Sequence, residues 1–485
     1  MRFDGSWYNA ARVRANVSGS GRENRIMRVS GAWTAVAAAL AVAGGAAAQD
    51  GGTDMKTVDG GKYVIPAAPD CGLQQAIDFT PPGGTLALPK GTYVLQRSLV
   101  LHDDMTLLGA GADTVLTILP EPPCSELADD AEKGATAIRV KDPKGFKVGM
   151  QVTVRSAEKN AWDETFAIVT GRDADTLTLD TPMRHTYAAA KVGQTGNLFP
   201  AIMAEGRKNV TIDSVRIVGP ARQPMFNRFV LDAIHLVRCE NVLITRCIVE
   251  RWHSDGFSVQ GGRNARVMDN VARRCAGHGF HPGTGLQDSF WSGNVGEENG
   301  AFGLYYCWDN KRVIVSHNTF ARNATYGVGR LGDGRDTDCL VYDNVLESNG
   351  AAGVHSGMFG DCKLNFIYGN KIIDNSTRQP GPGVLLQKSS QTVVAMNEVF
   401  CNGPQPMPYA GIEELGDGTN GNYIVANAVR GYRDKVLKRG KDTVVEAEYP
   451  GSIPPDRLAV LDGLLARDRA NWEDWKTNGR KQVEQ

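Results

Sequence analysis

The sequence predicts an all-β chain wound into a parallel β-helix, an elongated solenoid built from short strands. Two observations carry this prediction: two series of asparagines recur at a nearly constant interval, and a glycine followed by an apolar residue recurs in phase with them. Internal repeats of roughly 20–50 residues are typical of solenoids. The 56 glycines among 485 residues fit the many tight turns that such a fold needs.

The asparagine series fix the register of the predicted coils. Steps along each series are 24, 26, 26 and 27 residues, and the second series follows the first by five residues. We expect the side-chain amides to stack from coil to coil, with asparagine supplying the left-handed backbone of a corner. The first series is Asn294, Asn318, Asn344, Asn370 and Asn397, and the second is Asn299, Asn323, Asn349, Asn375 and Asn402.

Short apolar strands accompany the asparagines. An alternating strand precedes each member of the first series, and steps such as Gly279-Phe280 and Gly303-Leu304 follow the second. Strands this close leave no room for helical crossovers, so equivalent strands are expected to stack about 4.8 Å apart. A leucine-rich repeat is disfavoured because its leucine frame and helical segment are absent.

The chain divides into five predicted segments. Residues 1–48 form a leader with a signal peptide, in which Met27 is an alternative start and cleavage is expected near Ala48. The apolar run from Ala32 to Ala43 is too short to span a bilayer, so we predict a secreted or periplasmic protein. The others are an N-terminal cap with the first coils (60–123), a small β insertion (124–196), the main repeats (197–430) and a C-terminal helical tail that caps the solenoid (431–485).

Charge and cysteine content exclude some functions. With 53 Lys and Arg against 54 Asp and Glu, and no basic stripe, nucleic acid is not an expected partner. The nine cysteines include no CxxC pair, which argues against a zinc site, and the odd count leaves at least one unpaired. No metal site and no required cofactor are predicted; calcium is left open, although the sequence does not indicate it.

Residues 60 to 430 resemble the pectin-lyase-like superfamily of right-handed parallel β-helices. The entry segment carries the resemblance, with a predicted capping helix at 73–78 followed by Gly83-Gly84 and Leu107-Leu-Gly-Ala-Gly111. Locally, Gly279-Phe280-His281-Pro282 is similar to the Gly-Phe-Asp-Pro-His signature of mannuronan epimerases. His281 replaces the family's Asp and Gly283 stands where its His would be, so either the acid–base roles are redistributed or the resemblance is only local.

Equivalent positions on neighbouring coils form columns, and two columns become polar between residues 232 and 305. By strand alternation, the column containing His281 is expected to face outward, and His281 to face solvent. His317 and His355 are interpreted as ordinary surface residues. The predicted catalytic residues are His281, His278, Asp255 and Tyr305, and the predicted substrate-binding residues are Asp232, His235, Trp252, Trp308, Arg330 and Arg228.

These residue types fit a polysaccharide ligand, with three functions left open. Lyase or epimerase action on a uronate needs a base (His281 or His278), an acid (Tyr305) and a carboxylate neutraliser (Arg330 or Arg228). A glycoside hydrolase would instead pair Asp232 with Asp255. The third alternative is a non-catalytic solenoid that binds a polysaccharide at the cell envelope.

Overall fold

Three long sheets run side by side along the chain, which enters each of them once per coil. The computed structural model describes residues 56–58, 62–64, 72–220, 229–358, 360 and 362–479. In one coil, strand Ile234–Val237 lies in the third sheet, Glu240–Thr245 in the first and Ile248–Glu250 in the second. The predicted parallel β-helix is confirmed. The predicted leader and Arg228 lie outside the described residues.

Strands of successive coils pair in parallel within each sheet, except for the antiparallel first pair of the first sheet. The first sheet contains Lys56–Val58, Lys62–Val64, Thr85–Ala87, Thr106–Leu108, Thr211–Asp213, Glu240–Thr245, Arg263–Met268, Phe290–Ser292, Ile314–Ser316, Leu340–Tyr342, Phe366–Tyr368, Val393–Ala395, Tyr423–Val425 and Val444–Glu446. The second contains Gly91–Leu95, Thr114–Ile118, Arg216–Val218, Ile248–Glu250, Val271–Arg273, Val295–Glu297, Thr319–Ala321, Val345–Glu347, Lys371–Ile373, Glu398–Phe400 and Ala428–Arg430. The third contains Leu99–Val100, Ile202–Glu205, Ile234–Val237, Phe257–Gln260, Phe280–Pro282, Leu304–Tyr305, Val328–Leu331, Val354–Ser356, Val384–Gln387, Met407–Leu415 and Tyr432–Leu437. A short pair, Cys362–Lys363 and Ser389–Ser390, lies outside them.

Both asparagine series form hydrogen-bonded ladders inside the solenoid. In the first, Asn318 Nδ2 donates to Asn344 Oδ1 at 2.9 Å, and the backbone N–H of Asn318 donates to the same oxygen at 3.0 Å. The pattern runs from Asn270 to Asn427. The second ladder runs from Asn299 to Asn375 and stops there, because Asn402 is exposed and bonds to Asp374.

The expected backbone conformation of the ladder asparagines is wrong. The left-handed φ lies at the residue before each asparagine of the first ladder, as at His317 (φ 56°) and Asp343 (φ 48°). The asparagine itself lies one residue after the corner, so its side-chain amide can point inward and form hydrogen bonds with the two neighbouring coils. Glycine fills the corner position at Gly293 and Gly369, where a positive φ costs least.

A helix covers the start of the third sheet. Helix α1 (Gly72–Phe79) buries Leu73 and Ile77 in the main core. Its Gln74 side chain both donates to Val100 O (3.0 Å) and accepts from Val100 N (2.8 Å). The edge strand therefore finds its hydrogen-bond partner within the chain, as an unprotected sheet edge requires.

An antiparallel sheet interrupts the early coils. It has its own apolar core around Phe146 and Tyr187 and connects to the solenoid at both ends. Its strands are Cys124–Glu126, Ala137–Arg139, Gln151–Arg155, Thr165–Asp173, Thr176–Leu179 and Gln194–Gly196. Short 3-10 turns lie at Gly111–Asp113, Ala161–Asp163, Ala189–Lys191 and Phe229–Leu231.

The predicted C-terminal helix is present, as α2 (Pro455–Asp474), with a π-helical end at Trp475–Gly479. It lies along the outer face of the first sheet rather than across the last coil. Leu461, Leu464 and Trp475 pack there against apolar side chains of that sheet. None of the described helices is long and apolar enough to cross a lipid bilayer.

His317 anchors α2 to the sheet and is not the ordinary surface residue that the sequence suggested. Its Nδ1 bonds to Asp343 at 2.9 Å and its Nε2 to Asp468 of α2 at 3.0 Å. Burial opposes the charge on the ring, but Asp468 and Asp343 outweigh it and raise the pKa of His317. The stabilisation by this contact is therefore complete below the unfolded pKa of about 6.5 and is lost as pH rises through the raised value.

We expect the stability of the wild-type protein relative to the variant His317→Gln to fall as pH rises above about 6.5, the unfolded pKa of histidine. Glutamine does not titrate, so the difference in free energy of unfolding between the two proteins should shrink as pH rises. Urea unfolding at several pH values measures this difference. A difference in free energy of unfolding that stays constant or widens with pH would contradict an ionic contact of His317 with Asp468 and Asp343.

Eight of the nine cysteines are described, and no disulfide bond joins any two of these eight. Five of them, including Cys239, Cys247 and Cys275, are buried in the solenoid. Cys124, Cys307 and Cys401 are partly exposed.

Candidate functional site

The third sheet carries the polar columns in the predicted register. His235 pairs with Ser258, and Ser258 with His281, on three successive coils. One coil further, Tyr305 pairs with Gly329. Neighbouring apolar residues of the same strands lie in the core, so the polar column points to the outer side of the sheet, as alternation predicts.

The outer side of this sheet is nevertheless covered, and the prediction that His281 faces solvent is wrong. His281 is only 2% exposed, and His235 is fully buried. The rings of Tyr305 and His278 pack over His281 at centroid distances of 4.7 and 5.9 Å. Trp162 of the inserted sheet lies 6.1 Å from the His235 ring. The alternation of residues within one strand cannot reveal that this side is covered, because the covering side chains come from other coils and from the inserted sheet.

Four buried residues form two carboxylate–imidazole pairs, which we call the inner row: Asp232, His235, Asp255 and His281. Asp232 Oδ2 lies 2.9 Å from His235 Nδ1, and Asp255 Oδ2 lies 2.8 Å from His281 Nδ1. The second oxygen of Asp255 accepts the backbone N–H of His278 at 2.6 Å. Each carboxylate therefore orients a histidine ring and fixes which nitrogen faces the next coil.

Burial and neighbouring groups shift the pKa values of three residues of the inner row. Burial and the nearby Asp255 raise the pKa of Asp232. For Asp255, burial acts against the charge, but His278 and His281 outweigh it and lower the pKa. Burial likewise disfavours a charged His281, yet the hydrogen bond to Asp255 and the neighbouring Cys307 raise its pKa to about 10. The raised pKa favours the protonated ring, which does not fit the predicted role of His281 as the base.

One ligand atom each of Asp232, Asp255 and His281 lies within 4.8 Å of the others, a spacing compatible with a metal ion. Asp255 Oδ2 and His281 Nδ1, however, are already bonded to each other at 2.8 Å. Because these two atoms serve a carboxylate–imidazole pair, we assign no metal to these residues.

A partly exposed layer covers the inner row; we call it the outer patch: His278, Tyr305, Cys307, Trp308 and Arg330. The Tyr305 ring stacks on His278 at 4.6 Å, and Arg330 Nη1 lies 3.5 Å from the Tyr305 hydroxyl. The Arg330 guanidinium also lies 5.5 Å from the centre of the Tyr305 ring. Trp308 is 51% exposed beside these groups. The outer patch thus presents a cation, a phenol, a thiol and an aromatic platform together.

His278 is neutral in this arrangement. Burial lowers its pKa to about 4, against the opposing pull of Asp255. Its Nδ1 accepts the backbone N–H of Phe302 at 3.2 Å, so the hydrogen of the ring is on Nε2. Neither nitrogen of His278 is then available to take a proton.

Several predicted site residues have structural roles instead. Trp252, predicted to bind substrate, is 0% exposed in the main core and donates to Leu231 O at 2.6 Å. His355, interpreted as a surface residue, is 1% exposed and stacks on Tyr326 at 4.6 Å. Cys307 is not among the predicted site residues, although it belongs to the outer patch, where its sulfur lies 3.1 Å from the Thr284 hydroxyl.

Residues 232–359 match the family described as a right handed beta helix region. The resemblance to right-handed parallel β-helices is thereby confirmed. A comparison with curated protein sequences gives no match.

Among solved structures, the chain is similar to the A-modules of two mannuronan C-5 epimerases of Azotobacter vinelandii. They are 17% and 18% identical, with a TM-score of 0.49 for each, over 77% and 78% of this chain and 94% of each module. It is also similar to a family 28 exopolygalacturonase of Yersinia enterocolitica, at 12% identity and a TM-score of 0.39, over 77% of this chain and 74% of that one.

Proposed function

We propose that the protein is an exported carbohydrate-active enzyme that acts on a uronate polysaccharide, as a lyase or epimerase, at the outer patch. One observation carries the proposal: Tyr305, Arg330 and the cationic His281 come together from three coils on one side of the solenoid. Both reactions begin with removal of the hydrogen next to the sugar carboxylate, which these groups can assist.

Removing that hydrogen leaves negative charge on the carboxylate, and cations near it lower the barrier. Arg330 is partly exposed and offers a planar guanidinium that can hold a carboxylate with two hydrogen bonds. His281, in the inner row beneath the outer patch, supplies a second positive charge. Burial raises the pKa of Tyr305, so its hydroxyl keeps its proton and can serve as the acid.

The glycosidase alternative is disfavoured by the geometry of its carboxylates. Asp232 and Asp255 have oxygens within 4.8 Å of each other and are buried beneath the outer patch. Inverting enzymes need about 6.5–9.5 Å and retaining enzymes about 5–5.5 Å, with access to the sugar. Each of these carboxylates instead holds a histidine.

The non-catalytic alternative would use the same surface. Exposed Trp308 can stack on a sugar ring, and Arg330 can bind its carboxylate without any chemistry. Binding without turnover is therefore the outcome that separates this alternative from an enzyme.

The test is incubation of the purified protein with polymannuronate, polyguluronate and polygalacturonate. New ultraviolet absorbance from an unsaturated uronate, or an altered C5 configuration by NMR, is the expected result. Reducing ends without unsaturation would indicate a hydrolase, and binding without any new product a binding protein; either outcome overturns the proposal.

Arg330→Gln should lower turnover by roughly 10²–10³-fold, because the developing charge on the sugar carboxylate loses its partly exposed cation. Arg433→Gln is the matched control, since Arg433 is exposed on the same sheet, lower in the solenoid. Steady-state assays on the best substrate measure both. Equal activity of the two variants would show that Arg330 has no role in the reaction.

A further inference from the structure

Trp308, the exposed tryptophan of the outer patch, lies with one face against the next coil. A Cβ atom at position 334, which is Gly334, would meet Trp308 Cγ at 2.7 Å and Cδ2 at 2.9 Å. Neither of these carbons carries a hydrogen, so Gly334 approaches the face of the indole and not its edge. The side chain is nevertheless 51% exposed, so the ring is held in place while much of it is open to a ligand.

Two glycines on successive coils leave the space for this ring. Trp308, Gly334 and Gly360 follow one another at intervals of 26 residues, so they occupy equivalent positions. Gly334 has φ 68°, a conformation that favours glycine, and Gly360 packs against its other side. A Cβ atom at Gly360 would lie 2.9 Å from Gly334 N. The backbone beneath Trp308 is therefore fixed, and the ring needs no reordering to receive a ligand.

The loop that supports Trp308 also contacts Arg330. Asp333 Oδ2 lies 3.8 Å from Arg330 Nη1. The next residue, Gly334, lies under Trp308, and Arg335 follows with a side chain that is 77% exposed. Three consecutive residues thus connect the cation of the proposed reaction, the tryptophan and a second, exposed guanidinium.

A buried carboxylate holds this loop in shape. Asp336 is 0% exposed, and its Oδ2 accepts the backbone N–H of Gly332 at 3.2 Å. Its Oδ1 accepts the backbone N–H of Asn310, on the coil of Trp308, at 2.7 Å. The loop is therefore tied to the preceding coil as well as to itself, which keeps the backbone of Arg335 beside Trp308.

Two cations face one carboxylate beside Trp308. Asp309 lies between them, with Oδ1 3.9 Å from Lys311 Nζ and Oδ2 3.8 Å from Arg335 Nη2. Ion pairs at this distance and exposure contribute little, so Arg335 can turn to an incoming carboxylate. A guanidinium can bind a carboxylate with two hydrogen bonds, and an indole face can stack on a sugar ring. We call Trp308 and Arg335 the side subsite.

Two neighbouring coils run in parallel past the outer patch and the side subsite. Tyr305 pairs with Gly329 of the next coil, and further along the same two coils Lys311 pairs with Thr337. The side subsite lies between these two pairings, to one side of Tyr305 in the direction of the strands. A polysaccharide laid along the strands would therefore place one sugar residue at Tyr305 and the adjoining residue at the side subsite.

We infer that the side subsite binds the uronate residue adjoining the one that reacts, with its ring on Trp308 and its carboxylate on Arg335. This inference rests on the proposed function, in which Arg330 holds the carboxylate of the reacting residue. The site then needs carboxylates on two adjoining sugar residues. It selects a homopolymer of uronates over a chain in which uronates alternate with neutral sugars.

The side subsite is tested by calorimetric titration of the full protein carrying Tyr305→Phe, which keeps the aromatic packing and slows turnover. Trisaccharides of mannuronate, guluronate and galacturonate are the probes. Adding Trp308→Ala or Arg335→Gln should weaken binding of the best trisaccharide by roughly 10–100-fold. At about 1 M salt, where the screening length is about 3 Å, the effect of Arg335→Gln should shrink and that of Trp308→Ala should persist. Unchanged affinity in either variant would overturn the side subsite.

Gly334→Ala tests the geometry without removing any group that would touch the sugar. Its methyl group would displace the Trp308 indole, so affinity for the same trisaccharide should fall as it does in Trp308→Ala. Gly111→Ala is the matched control, because Gly111 has φ 70° and a Cβ there would meet no described residue within 4 Å. It carries the same backbone strain and leaves the side subsite intact. Equal affinities of the two glycine variants would contradict the inference.

The selection of the polymer is tested with tetrasaccharides of hyaluronan and chondroitin, in which uronates alternate with neutral sugars. They should bind at least about tenfold more weakly than the best uronate tetrasaccharide, because they lack the second carboxylate. Equal binding would overturn the inference. The expected binding pattern in a wild-type protein that forms no product would overturn the proposed function alone. Turnover of a uronan with unchanged binding in Trp308→Ala would overturn the side subsite alone.

Discussion

Replacing Asn344 with alanine is expected to lower the free energy of unfolding by roughly 3–9 kcal/mol, because buried polar groups on the neighbouring coil lose their partner. The Asn344 side chain accepts from both the backbone and the side chain of Asn318 and donates to Val315 O. Alanine leaves all three groups buried, out of reach of water, each at a cost of about 1–3 kcal/mol. Urea unfolding of the purified variant measures the loss.

Asn402→Ala is the matched control for this prediction. Asn402 occupies the same frame in the repeat but is exposed and bonds to Asp374. Its replacement should cost no more than about 1 kcal/mol, since water can satisfy the exposed groups. Equal losses for the two variants would mean that the ladder does not stabilise the solenoid.

Tyr305→Phe is expected to lower turnover on a uronate polysaccharide by roughly 10²–10⁴-fold with little effect on stability. Phenylalanine keeps the ring that stacks on His278 at 4.6 Å and packs on His281 at 4.7 Å, so the inner row stays covered. Only the hydroxyl, which lies 3.5 Å from Arg330 Nη1, is removed. Steady-state kinetics and thermal unfolding of the same sample separate the two effects.

The control is Tyr326→Phe. Tyr326 lies one coil further, and its ring stacks on His355 at 4.6 Å, away from Cys307. Its variant should keep wild-type turnover. If Tyr305→Phe were as active as Tyr326→Phe, the leaving oxygen would not take its proton from Tyr305.

The repeat was readable from sequence because its cause is local. Asparagines at a fixed distance from each other mark one corner of each coil, and the ladders occur where the spacing predicts them. The sequence could not tell which of two adjacent residues adopts the left-handed backbone, and the corner falls one residue before the asparagine, as at His317. It also could not show that the second ladder ends before Asn402.

The site was predictable only as a region. Register alone brings His281 and Tyr305 onto adjacent coils, and this was anticipated from the column of equivalent positions. The burial of the site residues was not anticipated, because Trp162, which lies against His235, belongs to a distant inserted segment and Trp252 points into the core. The contact between Cys307 and Thr284 joins two coils, and no spacing in the sequence predicts it.

The fate of the C5 hydrogen tests the central claim most directly. Mannuronate oligosaccharides deuterated at C5 are incubated with the protein in ordinary water, and the products are examined by NMR and mass spectrometry. The account predicts that every residue that has reacted, whether unsaturated at C4–C5 or inverted at C5, has lost its C5 deuterium. Cleavage that yields no residue without C5 deuterium, or oligosaccharides that bind and remain both intact and fully deuterated, would contradict it.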